Sequence, residues 1–175
     1  RRALEATHDP TERSRLLLCT SYLLRPAGRH GEALAAIEEA WSLAETPMDR
    51  ALAAHEVARV HLEHGRRAEA LSWIDRARAD VVEAPALAAY YAARRLDLGG
   101  GTEEDVDAAY LTALDVARAW DDLGREMACA FQLAAASRRQ GRLARAREYA
   151  ETAVAACQEM GIRTSEAVHL EMLMG

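Results

Sequence analysis

The chain reads as an all-α protein built from repeated helix pairs, and three observations predict this. A short phrase recurs: Gly, then Ala or Val five residues on, then Ala seven further on. It stands at Gly28–Ala33–Ala40, Gly65–Ala70–Ala77, Gly101–Val106–Ala113 and Gly141–Ala146–Ala153, with glycines 37, 36 and 40 residues apart. Such a period belongs to a helical array rather than to a chain with one central core. Half of the 175 residues are apolar but only nine are aromatic, so the helices must pack by close approach more than by large side chains. Helix start and stop signals punctuate the chain at matching intervals.

Taken in order, residues 1–10 (RRALEATHDP) read as the last turns of a preceding helix stopped by Asp9-Pro10, so the chain is expected to be a fragment of something longer. A first helix is expected over 11–25, carrying Leu16, Leu17, Leu23 and Leu24 and ended by Pro26. Gly28 turns the chain into a second helix over 29–45. Thr46 can cap a third, with Pro47 at its first position and Asp49 in its first turn, where the helix dipole favours an acid. That helix runs to 64; Gly65 breaks it, and a fourth covers 66–80. Pro85 opens a fifth, which ends at 98. Gly99-Gly100-Gly101 is the loosest joint, followed by the near capping box of Thr102 to Asp105 and a sixth helix to 120. A seventh runs from Gly124 to 140, an eighth over 142–160, and 165–174 is a short amphipathic piece that caps the array or opens a further repeat. The repeats are thus 11–46, 47–81, 82–121 and 124–160 of one solenoid spanning 1–175.

All 22 basic residues are Arg, the net charge is −6, and no basic cluster runs along one helix, which argues against direct nucleic-acid binding by this segment. Cys19, Cys129 and Cys157 are widely spaced inside helical patterns and read as small buried thiols in a reducing compartment. No apolar run approaches the roughly 20 residues of a membrane span, so a cytoplasmic chain with no membrane partner is expected. From Glu103 to Asp122 seven acids stand against one Arg118, a pattern that reads as a solvated face, with a docking strip for a basic partner as the alternative.

Counting from the glycines fixes a register. Seven residues before them stand Ser21, Ala58 and Ala134; nine after stand Ile37, Ile74, Tyr110 and Ala150. In the third repeat the first helix aligns best from Gly100, which puts Ala89, Ala92, Ala93 and Leu96 on the buried face and implies an inserted residue in the turn. This phrasing of small residue, Gly, Ala, bulky residue and Ala resembles the tetratricopeptide repeat (TPR) family over nearly the whole chain. Leu17, Ala54, Ala89 and Ala130 stand where the family pattern has Trp, and Leu24, His61, Leu96 and Ser137 where it has Tyr. The long periods resemble the TPR regions of large bacterial transcriptional regulators. The resemblance implies antiparallel helix pairs curling into a right-handed superhelix with a concave side, each pair stabilised by its neighbours.

The same register assigns a face. Positions 13, 10, 6 and 3 before each glycine should line the concave side: Arg15, Leu18, Tyr22, Arg25; Leu52, His55, Arg59, Leu62; Leu87, Tyr90, Arg94, Asp97; and Ala128, Phe131, Ala135, Arg138. A ring recurs at one position (His55, Tyr90, Phe131) and Arg at another (Arg59, Arg94). Binding surfaces are enriched in these residue types. The partner-binding set is therefore Tyr22, Arg25, His55, Arg59, Tyr90, Arg94, Phe131 and Arg138, and the Arg side chains would suit an acidic protein or peptide segment. The competing explanation is that these Arg side chains pair with acids on facing helices and that Tyr90 and Phe131 fill gaps. His55, His61 and His64 with Glu56 and Glu63 do not converge in this register, so no metal and no cofactor is expected.

No phosphate loop, nucleophile elbow or metal-protease pair is present, and no catalytic role is expected. The function expected is a non-catalytic scaffold binding a protein or peptide, with self-association as a further partner mode, as the interaction or sensor region of a bacterial regulatory protein. The alternative is a small-molecule-sensing regulatory domain of a transcriptional activator.

Overall fold

The computed structural model describes residues 9–161. The expected tail before residue 9 and the amphipathic piece at 165–174 lie outside the described residues. Within them the chain forms helices and no strand: α1 (Pro10–Leu24), α2 (His30–Leu43), α3 (Pro47–Glu63), α4 (Arg67–Asp80), α5 (Pro85–Gly99), α6 (Glu103–Ala119), α7 (Leu123–Arg139) and α8 (Leu143–Glu159). They pair as α1/α2, α3/α4, α5/α6 and α7/α8. Two compact units result, one ending at Val82 and the other starting at Glu83. In the first, α2 packs on α3 and α1 touches α3; in the second, α6 packs on α7 and α5 touches α7.

The start signals act as the sequence suggests. Thr46 Oγ1 accepts from Asp49 N at 3.0 Å and donates to the Asp49 carboxylate at 2.6 Å, and Thr102 accepts from Asp105 N at 3.2 Å. One boundary differs. α1 starts at Pro10 rather than at the expected residue 11, because Asp9 accepts from Thr11 N at 2.9 Å and Pro10 fits the first turn, where its missing N–H is not needed. At the turn inside the second repeat Gly65 takes φ +70°, which lets Arg66 N reach the His61 carbonyl at 2.9 Å and satisfies an end carbonyl of α3.

The recurrent alanines are where helices meet. Ala33, Ala40, Ala70, Ala77, Ala113 and Ala153 are fully buried, as are Ile37 and Ile74, and Tyr110 fills the corresponding place in the third repeat. Ala146 is only half-buried. The third repeat turns at Gly100 (φ +87°), so Gly100 is the equivalent of Gly65, and Gly101 N donates to the Leu96 carbonyl at 3.0 Å. The face of α5 differs from expectation: Ala93 is buried, but Ala92 is exposed and Ala89 and Leu96 are half-buried, while Leu87, Tyr90, Tyr91 and Arg94 are buried. Rolling the helix to cover two tyrosine rings removes far more apolar area from water than covering alanines would.

Candidate functional site

In the first unit, two first-of-pair helices lie side by side and leave a groove between them. Arg15, Leu18, Cys19 and Tyr22 come from α1, and Asp49, Leu52 and Glu56 from α3; the groove has a volume of about 310 Å³. Spacings of three, four and seven residues put each set on one helix face. Leu18 and Leu52 are half-buried, Tyr22 is 47% exposed, and Asp49 and Glu56 are buried. Arg15 Nε reaches Asp49 at 3.4 Å at one end.

The other end is organised by Glu56. Arg25 Nη1 approaches it at 3.4 Å and Arg59 Nη1 at 3.3 Å. Arg25 also donates to Glu63, from Nε at 3.2 Å and from Nη2. Burial and the neighbouring Glu56 carboxylate push the Tyr22 phenol above its usual range. Three of the four residues singled out in this unit, Tyr22, Arg25 and Arg59, thus gather on one buried acid; His55 is half-buried. The groove therefore offers an apolar floor between charges that already hold one another.

In the second unit, Tyr90 and Arg94 are brought together but inside the packing, at 5% and 8% exposure. Arg94 Nη1 donates to Asp97 at 3.2 Å, to the Tyr110 hydroxyl at 3.3 Å and to Gln132 Oε1 of α7 at 3.4 Å. The Tyr110 hydroxyl in turn donates to Asp97 at 3.4 Å, and burial pushes its phenol above the usual range. Tyr90 lies 6.3 Å from the Tyr110 ring, and the Arg125 guanidinium sits 6.0 Å from the Tyr90 centroid. Phe131 packs on the core formed by Ala130, Ala134, Ala150, Ala153 and Val154. Arg138 is exposed and joins neither group.

Asp49, Glu56, Tyr110, Arg125 and Gln132 are absent from the partner-binding set expected from the sequence. The signal for Glu56 was available: an acid between Ala53, Ala54 and Val57 on an otherwise buried face requires a cation opposite it. Gln132 carries no such signal, since a glutamine at a helix surface is ordinary. Among the described residues no three His, Cys, Asp or Glu side chains are placed to hold a metal. His30 and His64 form an edge-to-face pair at 4.9 Å, with His64 Nδ1 bonded to the Val60 carbonyl at 2.8 Å. No helix among the described residues is long and apolar enough to cross a membrane.

No protein-family model and no curated protein matches this chain. Solved structures do. Aspartyl phosphate phosphatase F from Bacillus subtilis is similar over 95% of this chain at 15% identity and a TM-score of 0.63, with the match covering 45% of that protein's chain. The kinesin light chain TPR-like repeats of Podosopora anserina are similar over 96% of this chain at 17% identity and a TM-score of 0.58, covering 86% of that chain, and a variant of them gives the same TM-score at 16% identity. The chain thus spans less than half of the Bacillus protein it matches. The resemblance carried by the Gly–Ala–Ala phrase holds in three dimensions: this chain has the fold of the TPR-like helical-repeat proteins.

Proposed function

We propose that this chain is a non-catalytic scaffold that binds an extended or helical protein segment, and that the groove between α1 and α3 is its docking site. The observation that carries the reading is the groove itself. Half-buried Leu18 and Leu52 and the exposed flank of Tyr22 form an apolar strip, with Arg15 and Asp49 at one end and Glu56 at the other. An apolar anchor side chain inserted there would lose its water while the charged ends fix its direction. A volume near 310 Å³ lies at the lower end of small-ligand sites, yet a groove open along two parallel helices suits a chain better than a metabolite.

The setting we propose is the interaction or sensor region of a bacterial regulatory protein. A bacterial neighbour of like fold supports it, and the free thiols of Cys19, Cys129 and Cys157 fit a reducing, cytoplasmic compartment. The phosphatase activity named for that neighbour is not proposed for this chain. Peptides selected from a random display library against the protein test the docking site. Leu52→Arg should abolish their binding, and Arg138→Ala, outside both groups, should leave it unchanged. Selected peptides that bind Leu52→Arg as well as the parent protein would refute the groove.

A further inference from the structure

The cations bordering the α1/α3 groove are not equally committed. Arg25 holds Glu56 and Glu63, and Arg59 lies on Glu56; these two side chains are 13% and 32% exposed. Arg15, at the other end, has a side chain 65% exposed and one contact, from Nε to Asp49 Oδ1 at 3.4 Å. That separation is long for a bond between charged groups. Neither terminal nitrogen of Arg15 bonds to anything among the described residues. Both Nη groups thus keep their donors on a side chain that solvent reaches, and paired guanidinium donors take both oxygens of a carboxylate at once.

Asp49 does not depend on Arg15. Its other oxygen, Oδ2, accepts from Thr46 Oγ1 at 2.6 Å, and its place in the first turn of α3 sets the carboxylate at the positive end of the helix dipole. A second acid drawn to Arg15 therefore leaves Asp49 with its own support. The Asp49 side chain is also only 9% exposed, so a group arriving from solvent meets the cation first.

The position of Arg15 ties it to the groove. It precedes Leu18 by three residues on one face of α1, about 4.5 Å along the helix axis, and both side chains line the groove. At the opposite end the Glu56 side chain is buried and already matched by Arg25 and Arg59. The apolar strip is thus flanked by an available cation at one end and a closed cluster at the other.

We propose that Arg15 reads an Asp or Glu side chain of the segment bound in the α1/α3 groove, beside the apolar residue that fills the strip between Leu18 and Leu52. The partner then carries an acid at one fixed offset from its apolar anchor. That offset is about two residues in an extended segment, where alternate side chains share a face, and about three or four in a helical one. The inference rests on the scaffold reading and adds the chemistry and direction of the partner. It lies wholly within the first unit.

A random peptide display library, selected separately on the full chain and on its Arg15→Glu variant, tests this. Sequences from the parent should carry Asp or Glu at one offset from an apolar residue, and those from Arg15→Glu should carry Lys or Arg at the same offset. Circular dichroism checks that the variant is folded, and Arg15→Gln, which should lose the acid preference, replaces it if it is not. One parent-selected peptide and its acid-to-amide form are then titrated into the parent and into Arg15→Gln. At low salt the amide form should bind the parent roughly threefold more weakly, a difference that shrinks as salt is raised and vanishes on Arg15→Gln. Peptides that need Leu52 but show no acid preference, or whose acid matters equally on both proteins, overturn the role of Arg15 and leave the scaffold reading standing. A library that yields no binder sensitive to Leu52→Arg refutes the groove, and the role of Arg15 falls with it.

Discussion

Glu56 shows how much one side chain can hold. It is 5% exposed and holds Arg25, just past the end of α1, and Arg59 of α3. Removing it takes one acid from Arg59 and leaves Arg25 with Glu63, so Glu56→Ala is expected to lower the stability of the fold by about 1–3 kcal/mol, read from urea unfolding. His61 makes the opposite case. It is buried, its Nδ1 has no hydrogen-bond partner, and burial followed by the Arg66 charge lowers its pKa below the ordinary 6.5. The folded state binds a proton at His61 less readily than the unfolded chain, which takes one up below about pH 6.5. His61 therefore opposes folding increasingly as the pH falls from 7 toward 5. Leu24 and Leu96 occupy the equivalent places in the first and third repeats. His61→Leu should raise stability by about 1 kcal/mol at pH 7 and by more at pH 5. A melting midpoint with the same pH dependence in both proteins would contradict this assignment.

At the scale of helices, the recurrent small residues differ in what they support. Ala70 is fully buried where α3 meets α4, whereas the equivalent Ala146 in α8 is half-buried. Ala70→Leu should cost roughly 1–3 kcal/mol by overpacking. Ala146→Leu should cost less than half of that, because its side chain can lean toward solvent. Equal losses in thermal melts of the two variants would show that burial does not set the penalty. The helices themselves were readable from caps, prolines and glycines, all of which act through local backbone chemistry. What was not readable is the roll of α5. The register from Gly100 located its turn correctly but expected Ala89, Ala92 and Leu96 to be covered, and the helix covers Leu87, Tyr90 and Tyr91 instead. A count of residues specifies where a turn falls; which face is buried depends on the ring area available on each side, and that is a property of several helices together. The same roll explains why Tyr90 and Arg94, expected on an open face, lie within the packing.

For the molecule as a whole, repeat architecture predicts that a defect spreads to neighbouring pairs and fades with distance. Ala70→Leu should lower amide hydrogen-exchange protection most in α3 and α4, next in α1 and α2, and least in α7 and α8. Uniform loss along the chain would mean a single cooperative unit. The all-α repeat fold was legible because four copies of one phrase reinforce each other. The candidate sites were half legible: periodicity selected the faces of α1 and α3, but only coordinates reveal that Arg25 and Arg59 are matched by Glu56 and that Arg94 lies within the packing against Asp97, Tyr110 and Gln132. The cysteines offer a practical handle on these questions. Cys129 is buried, with burial pushing its thiol up to about 12, and Cys157 is buried as well, whereas Cys19 is exposed at the wall of the α1/α3 groove. The native chain thus carries one thiol that a maleimide dye can modify without unfolding, already placed beside the proposed docking site. A fluorophore there would report occupancy as a change in emission, with no engineered residue required.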